Sequence, residues 1–142
     1  MKYVVDASIG FKWEVVEQFS DKAGALRVGF HNAVHELLAP DIFPTEVANA
    51  ILVAERRGRV PAGKSLSLLI DFLTTQPKIH AALPVLLPRA YVIATQTRAS
   101  IYDCLYVALA ELENCQLVTA DDKLVRNLQA LFPFVVPLSS LP

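Results

Sequence analysis

The stretch "KYVVDAS", residues 2–8, decides how the rest of the chain is read. Tyr3, Val4 and Val5 form a short apolar run of the kind found in a strand buried on both faces, and the run stops on a carboxylate, Asp6. A strand-ending aspartate can cap the next segment, hold a metal or act as a base. A helix is predicted to follow from Gly10 to about Phe19, where Phe11, Val15 and Phe19 recur at i, i+4 and i+8.

Working outward, the same alternation repeats. A helix is expected over about 22–34, then a strand at "LLAPD", 37–41, stopped by Pro40. Asp41 or Thr45 caps the next helix, whose apolar stripe is Val47, Ala50, Ile51 and Ala54 and which Gly58 ends. Leu66, Leu69, Ile70 and Leu73 mark another helix, closed by Pro77, and "KIHAAL", 78–83, reads as a third strand. Helices follow from Pro84 to about Arg98 and from Ile101 to Asn114. Pro88 is tolerated only in the first turn of the former. "QLVTA", 116–120, is a strand, Asp122–Leu131 a helix and "FVVPL", 134–138, a last strand. Strands alternating with helices imply a single α/β domain over 1–142, with a central, mainly parallel sheet covered on both faces.

Composition narrows the function classes. Thirteen Lys and Arg against fourteen Asp and Glu leave a net charge of −1, so no overall positive field draws the chain to nucleic acid and any such binding needs a local basic patch. The hydrophobic fraction of 54% is high enough that some of it is expected to face a partner. Cys104 and Cys115 lack a Cys-x-x-Cys spacing and read as two reduced thiols of a cytosolic protein. No charged-then-apolar leader or long apolar run points to secretion or membrane insertion.

Functional crevices of open α/β sheets lie beyond the carboxyl ends of the strands. Asp6 stands at one such end and Asp121 at another, with Asp122 beside it, while Glu46 and Asp103 fall in first turns of helices that begin at the same edge. Singly, acids in a first turn serve the helix macrodipole. Asp103 is harder to dismiss, because "SIYDCLYVALAELE" embeds it in the most apolar helix of the chain. Like charges brought within 4 Å repel by about 4 kcal/mol at an effective dielectric of 20, so such a cluster needs cations. Oxygen ligands without Cys or His favour Mg²⁺ or Mn²⁺, which can activate a water for phosphodiester cleavage.

The contexts "YVVDAS", "PTEVANA", "IYDCLYVALA" and "LVTADDKL", in that order and spacing, resemble the PIN-domain family, in particular its VapC-type toxin ribonucleases. "APDIF" and "ERRGR" also resemble the segments flanking the family's glutamate helix, and the likeness covers essentially the whole chain. It implies a three-layer α/β/α sandwich, metal-dependent RNA hydrolysis, a VapB-like antitoxin as partner and, in many members, a homodimer. It also implies an acidic site of Asp6, Glu46, Asp103 and Asp121, with Glu46 acting through water and Ser8 and Thr119 orienting carboxylates or waters. Alignment on "TAD" favours Asp121 over Asp122 as ligand.

Rival readings remain in view. "GRVPAGKS", 58–65, satisfies the phosphate-loop pattern in full, yet "AERR" before it reads as a helix end and Pro61 removes a backbone N–H from the supposed cradle. The same turn supplies a local basic patch, Arg56, Arg57, Arg59 and Lys64, for RNA phosphates or an acidic antitoxin segment, or simply a solvated helix end. "HNAVH" lacks the glutamate of a zinc-protease motif, so His31 and His35 read as surface histidines. Trp13 and Tyr102 read as core aromatics that could alternatively stack on a base. A non-catalytic binding protein on the same fold is the rival from another class.

Overall fold

The computed structural model describes residues 1–142. In chain order the elements are β1 (Lys2–Val5), α1 (Ala7–Glu14), α2 (Ser20–His31), β2 (Glu36–Pro40), α3 (Phe43–Arg56), α4 (Ser65–Leu73) and β3 (Lys78–His80). They continue with α5 (Leu86–Gln96), α6 (Ile101–Leu112), β4 (Gln116–Thr119), α7 (Asp122–Leu128), β5 (Val135–Pro137) and a final 3-10 turn, Leu138–Ser140.

All five strands are parallel, in the order β3-β2-β1-β4-β5. β1 lies at the centre, with Val4 opposite Leu38 of β2 and Leu117 of β4. Val4, Val5, Leu37, Leu38, Leu117 and Val118 are fully buried, as a sheet covered on both faces requires. α1 packs against α2, α3 and α4, α5 lies along α6, and α7 packs on β4 and β5. Right-handed crossovers place the first group on one face and the second on the other, giving a three-layer α/β/α sandwich.

From β1 the chain moves toward β2 and β3, whereas from β4 it moves the opposite way to β5. The β1/β4 junction is therefore the topological switch point, where the ends of the strands leave a crevice.

Several helix boundaries differ from the periodicity. α1 begins at Ala7 rather than Gly10, because Asp6 is its N-cap and accepts the Ser8 N–H at 3.1 Å. Neither Asp41 nor Thr45 caps α3. The helix opens without a side-chain cap, with Pro44 in its first turn, and Asp41 instead accepts the Ala82 N–H at 3.3 Å. The strand at 78–83 shortens to three residues.

Two features fix the helices that carry the site. Trp13, Phe43 and Phe72 interlock α1, α3 and α4 with ring centroids 5.6 to 6.2 Å apart. Gly10 allows that approach, since a Cβ there would stand 2.8 Å from Val47 Cγ2 and 2.9 Å from Phe43 Cζ. Arg27 then bonds Glu14 of α1 at 3.0 Å and the Asp71 carbonyl of α4 at 3.0 Å. No helix is long and apolar enough to cross a membrane.

Candidate active site

Asp6 leaves the end of β1 at the switch point and is only 6% exposed. Its Oδ1 accepts from the Ser8 N–H and hydroxyl, and its Oδ2 from the Thr119 hydroxyl at the end of β4. Ser8 Oγ in turn accepts the Ala120 N–H at 2.9 Å, and Thr119 Oγ1 the Asp121 N–H at 3.0 Å. The Asp6 carboxylate and Ser8 hydroxyl on the β1 side thus meet the Thr119 hydroxyl and the Ala120 N–H on the β4 side and tie the two strand ends together. Burial pushes the Asp6 carboxyl up to about 6, the Ser8 and Thr119 hydroxyls oppose the rise, and the charge of Asp103 adds to it.

The other acids enter from helix starts. Asp121 is the N-cap of α7, its Oδ1 accepting the N–H groups of Lys123 at 3.0 Å and Leu124 at 3.2 Å. Asp103 lies in the first turn of α6, where Ser100 Oγ caps its N–H at 3.1 Å. Glu46 lies in the first turn of α3, and its Oε1 accepts the Tyr106 hydroxyl at 2.6 Å. Burial raises Asp103, with Asp121 adding to the shift. Burial also raises Glu46, where the Tyr106 hydroxyl opposes and Asp103 adds.

Asp103 is the electrostatic centre of the group, because its charge bears on both Asp6 and Glu46 and it feels that of Asp121. None of the four forms an ion pair with Lys, Arg or His. Asp6 is buried, Glu46 and Asp103 are half-buried and Asp121 is exposed, so the first three, with no paired cation, carry the charge that is hardest to leave uncompensated. An all-oxygen donor set of this charge suits a hard divalent cation such as Mg²⁺ or Mn²⁺. No three of the side chains already stand as a closed ligand set around one point. The donors fit the ion by chemistry, and binding would have to draw them in.

The remaining candidates divide. Ser8 and Thr119 touch Asp6 directly, and Asp122 sits beside Asp121 in the first turn of α7. Arg56, Arg57 and Lys64 are exposed, but Arg59 pairs with Glu17 at 2.7 Å and lies over the Phe11 ring, so it is not a free contact. The phosphate-loop reading of 58–65 fails structurally. The segment follows a helix, and the N–H groups of Gly63 and Ser65 both point to Glu55 Oε1, at 2.6 and 3.2 Å. An internal carboxylate already fills the position a phosphate would need.

His31 is exposed, as read from the sequence, whereas His35 is half-buried. His31 Nε2 meets Thr75 Oγ1 at 2.8 Å, and the His35 ring packs on Tyr3 and over Gly29. Tyr102 departs from its core reading, being 62% exposed. Tyr106, which anchors Glu46, was not singled out by sequence. The available signal was a tyrosine three positions after Asp103 on the same apolar helix.

What fold and site define together is a class: a parallel α/β sandwich with electrostatically coupled acids at the end of its central strand and at helix starts. The sequence profile of the PIN domain matches residues 3–128, and the chain belongs to the PIN-domain family. It is 34% identical over 134 residues to Ribonuclease VapC3 of Pyrobaculum aerophilum, spanning 92% of this chain and 98% of that protein. Among solved structures, PAE2754 from Pyrobaculum aerophilum superposes with a TM-score of 0.70 at 23% identity, covering 99% of this chain and 85% of that one. VapC20 of Mycobacterium tuberculosis, described as a Sarcin-Ricin loop cleaving toxin, superposes at 0.64 with 16% identity, covering 95% of this chain and 99% of that one. The VapBC2 structure of Rickettsia felis, bound to a DNA fragment from its promoter, gives 0.63 at 17% identity, covering 96% of this chain and 97% of the matched one. At those identities the structural likenesses speak for the fold alone.

Proposed function

We propose that the protein is a metal-dependent endoribonuclease and the toxin of a type II toxin-antitoxin pair, acting in the cytoplasm. What supports this reading is the electrostatic coupling of the acids, Asp103 bearing on Asp6 and Glu46 and Asp121 on Asp103, with no Lys, Arg or His paired to any of the four. The likeness to Ribonuclease VapC3 supports the substrate class.

In this reading Asp6, Asp103 and Asp121 hold Mg²⁺ or Mn²⁺, with Glu46 acting through water. The bound ion supplies positive charge for the phosphate and lowers the pKa of a water. The chain's own groups position the reaction. Ser8 and Thr119 lock the Asp6 carboxylate, and Tyr106 holds Glu46 by Oε1 so that Oε2 is left to orient a water. The Asp121 Oδ1 is committed to the α7 N–H groups, which leaves Oδ2 for the crevice, with Asp122 as an adjoining negative charge. Hydrolysis adds water across the ester: its oxygen bonds to phosphorus, the P–O bond breaks, and the leaving oxygen gains a proton.

The antitoxin would lie in the apolar cleft between α3 and α4, a cavity of about 390 Å³ lined by Ala48, Leu52, Leu66 and Leu69 among others. Arg56, Arg57 and Lys64 near that end of α3 would meet its acidic parts or RNA phosphates. Exposed Val85, Tyr91 and Val92 of the α5 region offer a face for a homodimer.

The test is purified wild type and Asp6→Asn incubated with a broad RNA panel and Mg²⁺ or Mn²⁺. Cleavage by the wild type that the variant loses supports the reading. Equal cleavage by both, or none by either, favours a non-catalytic binding protein on this fold.

A further inference from the structure

We propose that Tyr102 is the stacking platform for an unpaired base of the RNA beside the scissile phosphate, an inference that rests on the ribonuclease reading. The helix α6 buries nearly everything from Cys104 to Ala110, yet Tyr102, two positions earlier, is mostly in solvent. It is adjacent to Asp103 and one turn before Tyr106, whose buried ring carries the hydroxyl bonded to Glu46. Residues four apart share a helix face, and helical side chains lean toward the N-terminus. The Tyr102 ring therefore continues the Tyr106 stripe outward, past the start of α6 and onto the rim of the acidic crevice.

Folding does not explain that exposure. Leu105 and Tyr106 close the core beneath it, and its neighbours Arg98 and Ser100 are exposed and polar, so Tyr102 belongs to no apolar patch. The other aromatics do not compete for the role. Trp13 is held between Phe43 and Phe72 with its Nε1–H donated to the Ala23 carbonyl at 2.9 Å. Tyr91 sits on α5 close to Arg89, which pairs with Glu111 at the opposite end of α6.

RNA needs such a contact here. The crevice is acidic, and the exposed cations Arg56 and Arg57 lie ten or more residues along α3 from Glu46, about 15 Å of helix. Arg98, four residues before Tyr102, and Lys123, two after Asp121, are exposed and can meet phosphates nearer the acids, but a phosphate contact does not hold a base. A neutral aromatic face can, because every unpaired base has a π-surface to stack on it.

The experiment measures binding of end-labelled, unpaired oligoribonucleotides by anisotropy, in Mg²⁺, to Asp6→Asn protein so that the RNA stays intact. Tyr102→Ala, Tyr102→Phe and Tyr102→Trp are added to that background, and an abasic nucleotide is moved along the oligonucleotide. Tyr102→Ala is expected to weaken binding about 10- to 100-fold and Phe or Trp to preserve it. One abasic position should cost the Tyr102 protein the same factor and cost the alanine variant little. RNA that binds Tyr102→Ala as tightly as its parent, or an abasic penalty equal in both, overturns the proposal. Cleavage by the protein with Asp6 intact reads the ribonuclease assignment separately: RNA bound through Tyr102 and never cut sinks that assignment alone, and RNA that no form binds sinks both. A thermal melt unchanged by Tyr102→Ala excludes misfolding as the cause.

Discussion

The Tyr106 hydroxyl donates to Glu46 Oε1 at 2.6 Å, joining two residues sixty positions apart and fastening the start of α3 to α6 across the mouth of the crevice. Both groups are substantially removed from water, so neither has a ready substitute partner. Tyr106→Phe keeps the ring and deletes the bond. Hydrogen bonds to charged groups contribute about 1.5–3 kcal/mol, and a loss of that order is expected in urea unfolding. RNA cleavage should fall as well, in kcat more than in KM, because Glu46 loses its orientation while the RNA-contacting surface is intact. Unaltered kcat in Tyr106→Phe would remove Glu46 from the reaction.

Asp103 sets up a second, opposite-signed pair of outcomes. Its charge raises both Asp6 and Glu46, and it has no cationic partner. Asp103→Asn should therefore raise the melting temperature of metal-free protein while abolishing cleavage. Mg²⁺ or Mn²⁺ should stabilise the wild type by about 2.7 kcal/mol at one hundred times Kd and leave the variant nearly unmoved. Scanning calorimetry with and without EDTA reads both. Equal metal stabilisation of the two proteins would show that the ion binds elsewhere.

Glu14 predicts a pH dependence remote from the crevice. Its side chain is 4% exposed and pairs with Arg27 at 3.0 Å. Burial nevertheless pushes the carboxyl up to about 7, with Asp71 adding to the shift and Arg27 opposing it. The folded state thus holds a proton that the unfolded chain has released, from the ordinary glutamate range up to about 7. The unfolded state binds fewer protons there, so stability contributed by Glu14 is full at low pH and is lost as pH rises through that window. Glu14→Gln should flatten this part of the profile, measured as melting temperature between pH 4.5 and 8. A profile with the same slope in both proteins would place the titration on another group.

Much of this architecture is legible in the sequence, and for identifiable reasons. Parallel strands buried on both faces read as short apolar runs, so "YVVD" and "LVTAD" showed where strand ends meet acids. Helix starts were less legible. Asp6 caps α1 through an N–H contact that periodicity does not register, and α3 begins at Phe43 with no side-chain cap at all. Contacts of long range were hidden: nothing local marks Tyr106 as the partner of Glu46, or Gly10 as the place where Val47 and Phe43 press closest. Tyr102 misled because an aromatic opening an apolar stripe looks like core, whereas burial along α6 begins only at Cys104.

The loop at 58–65 yields the last prediction. Gly58 and Gly63 have φ of +76° and +83°, the left-handed turns that let the chain fold back from α3 to α4. Glu55 Oε1 holds the resulting N–H groups of Gly63 and Ser65, and these contacts lower its carboxyl below the usual range. The carboxylate occupies the seat that a nucleotide phosphate would take, and the strand that feeds a true phosphate loop is replaced by α3. ATP and GTP should not bind, and Lys64→Ala should change nothing in a nucleotide titration. Glu55→Ala should loosen the turn and lower the urea midpoint, since two N–H groups lose their acceptor. Neutralising this carboxylate also leaves Gly58, Pro61 and the α3 connection unchanged, so nucleotide binding should stay absent in the variant too. Isothermal titration of wild type, Lys64→Ala and Glu55→Ala with ATP decides the matter, and saturable binding by the wild type that Lys64→Ala abolishes would reinstate the phosphate loop.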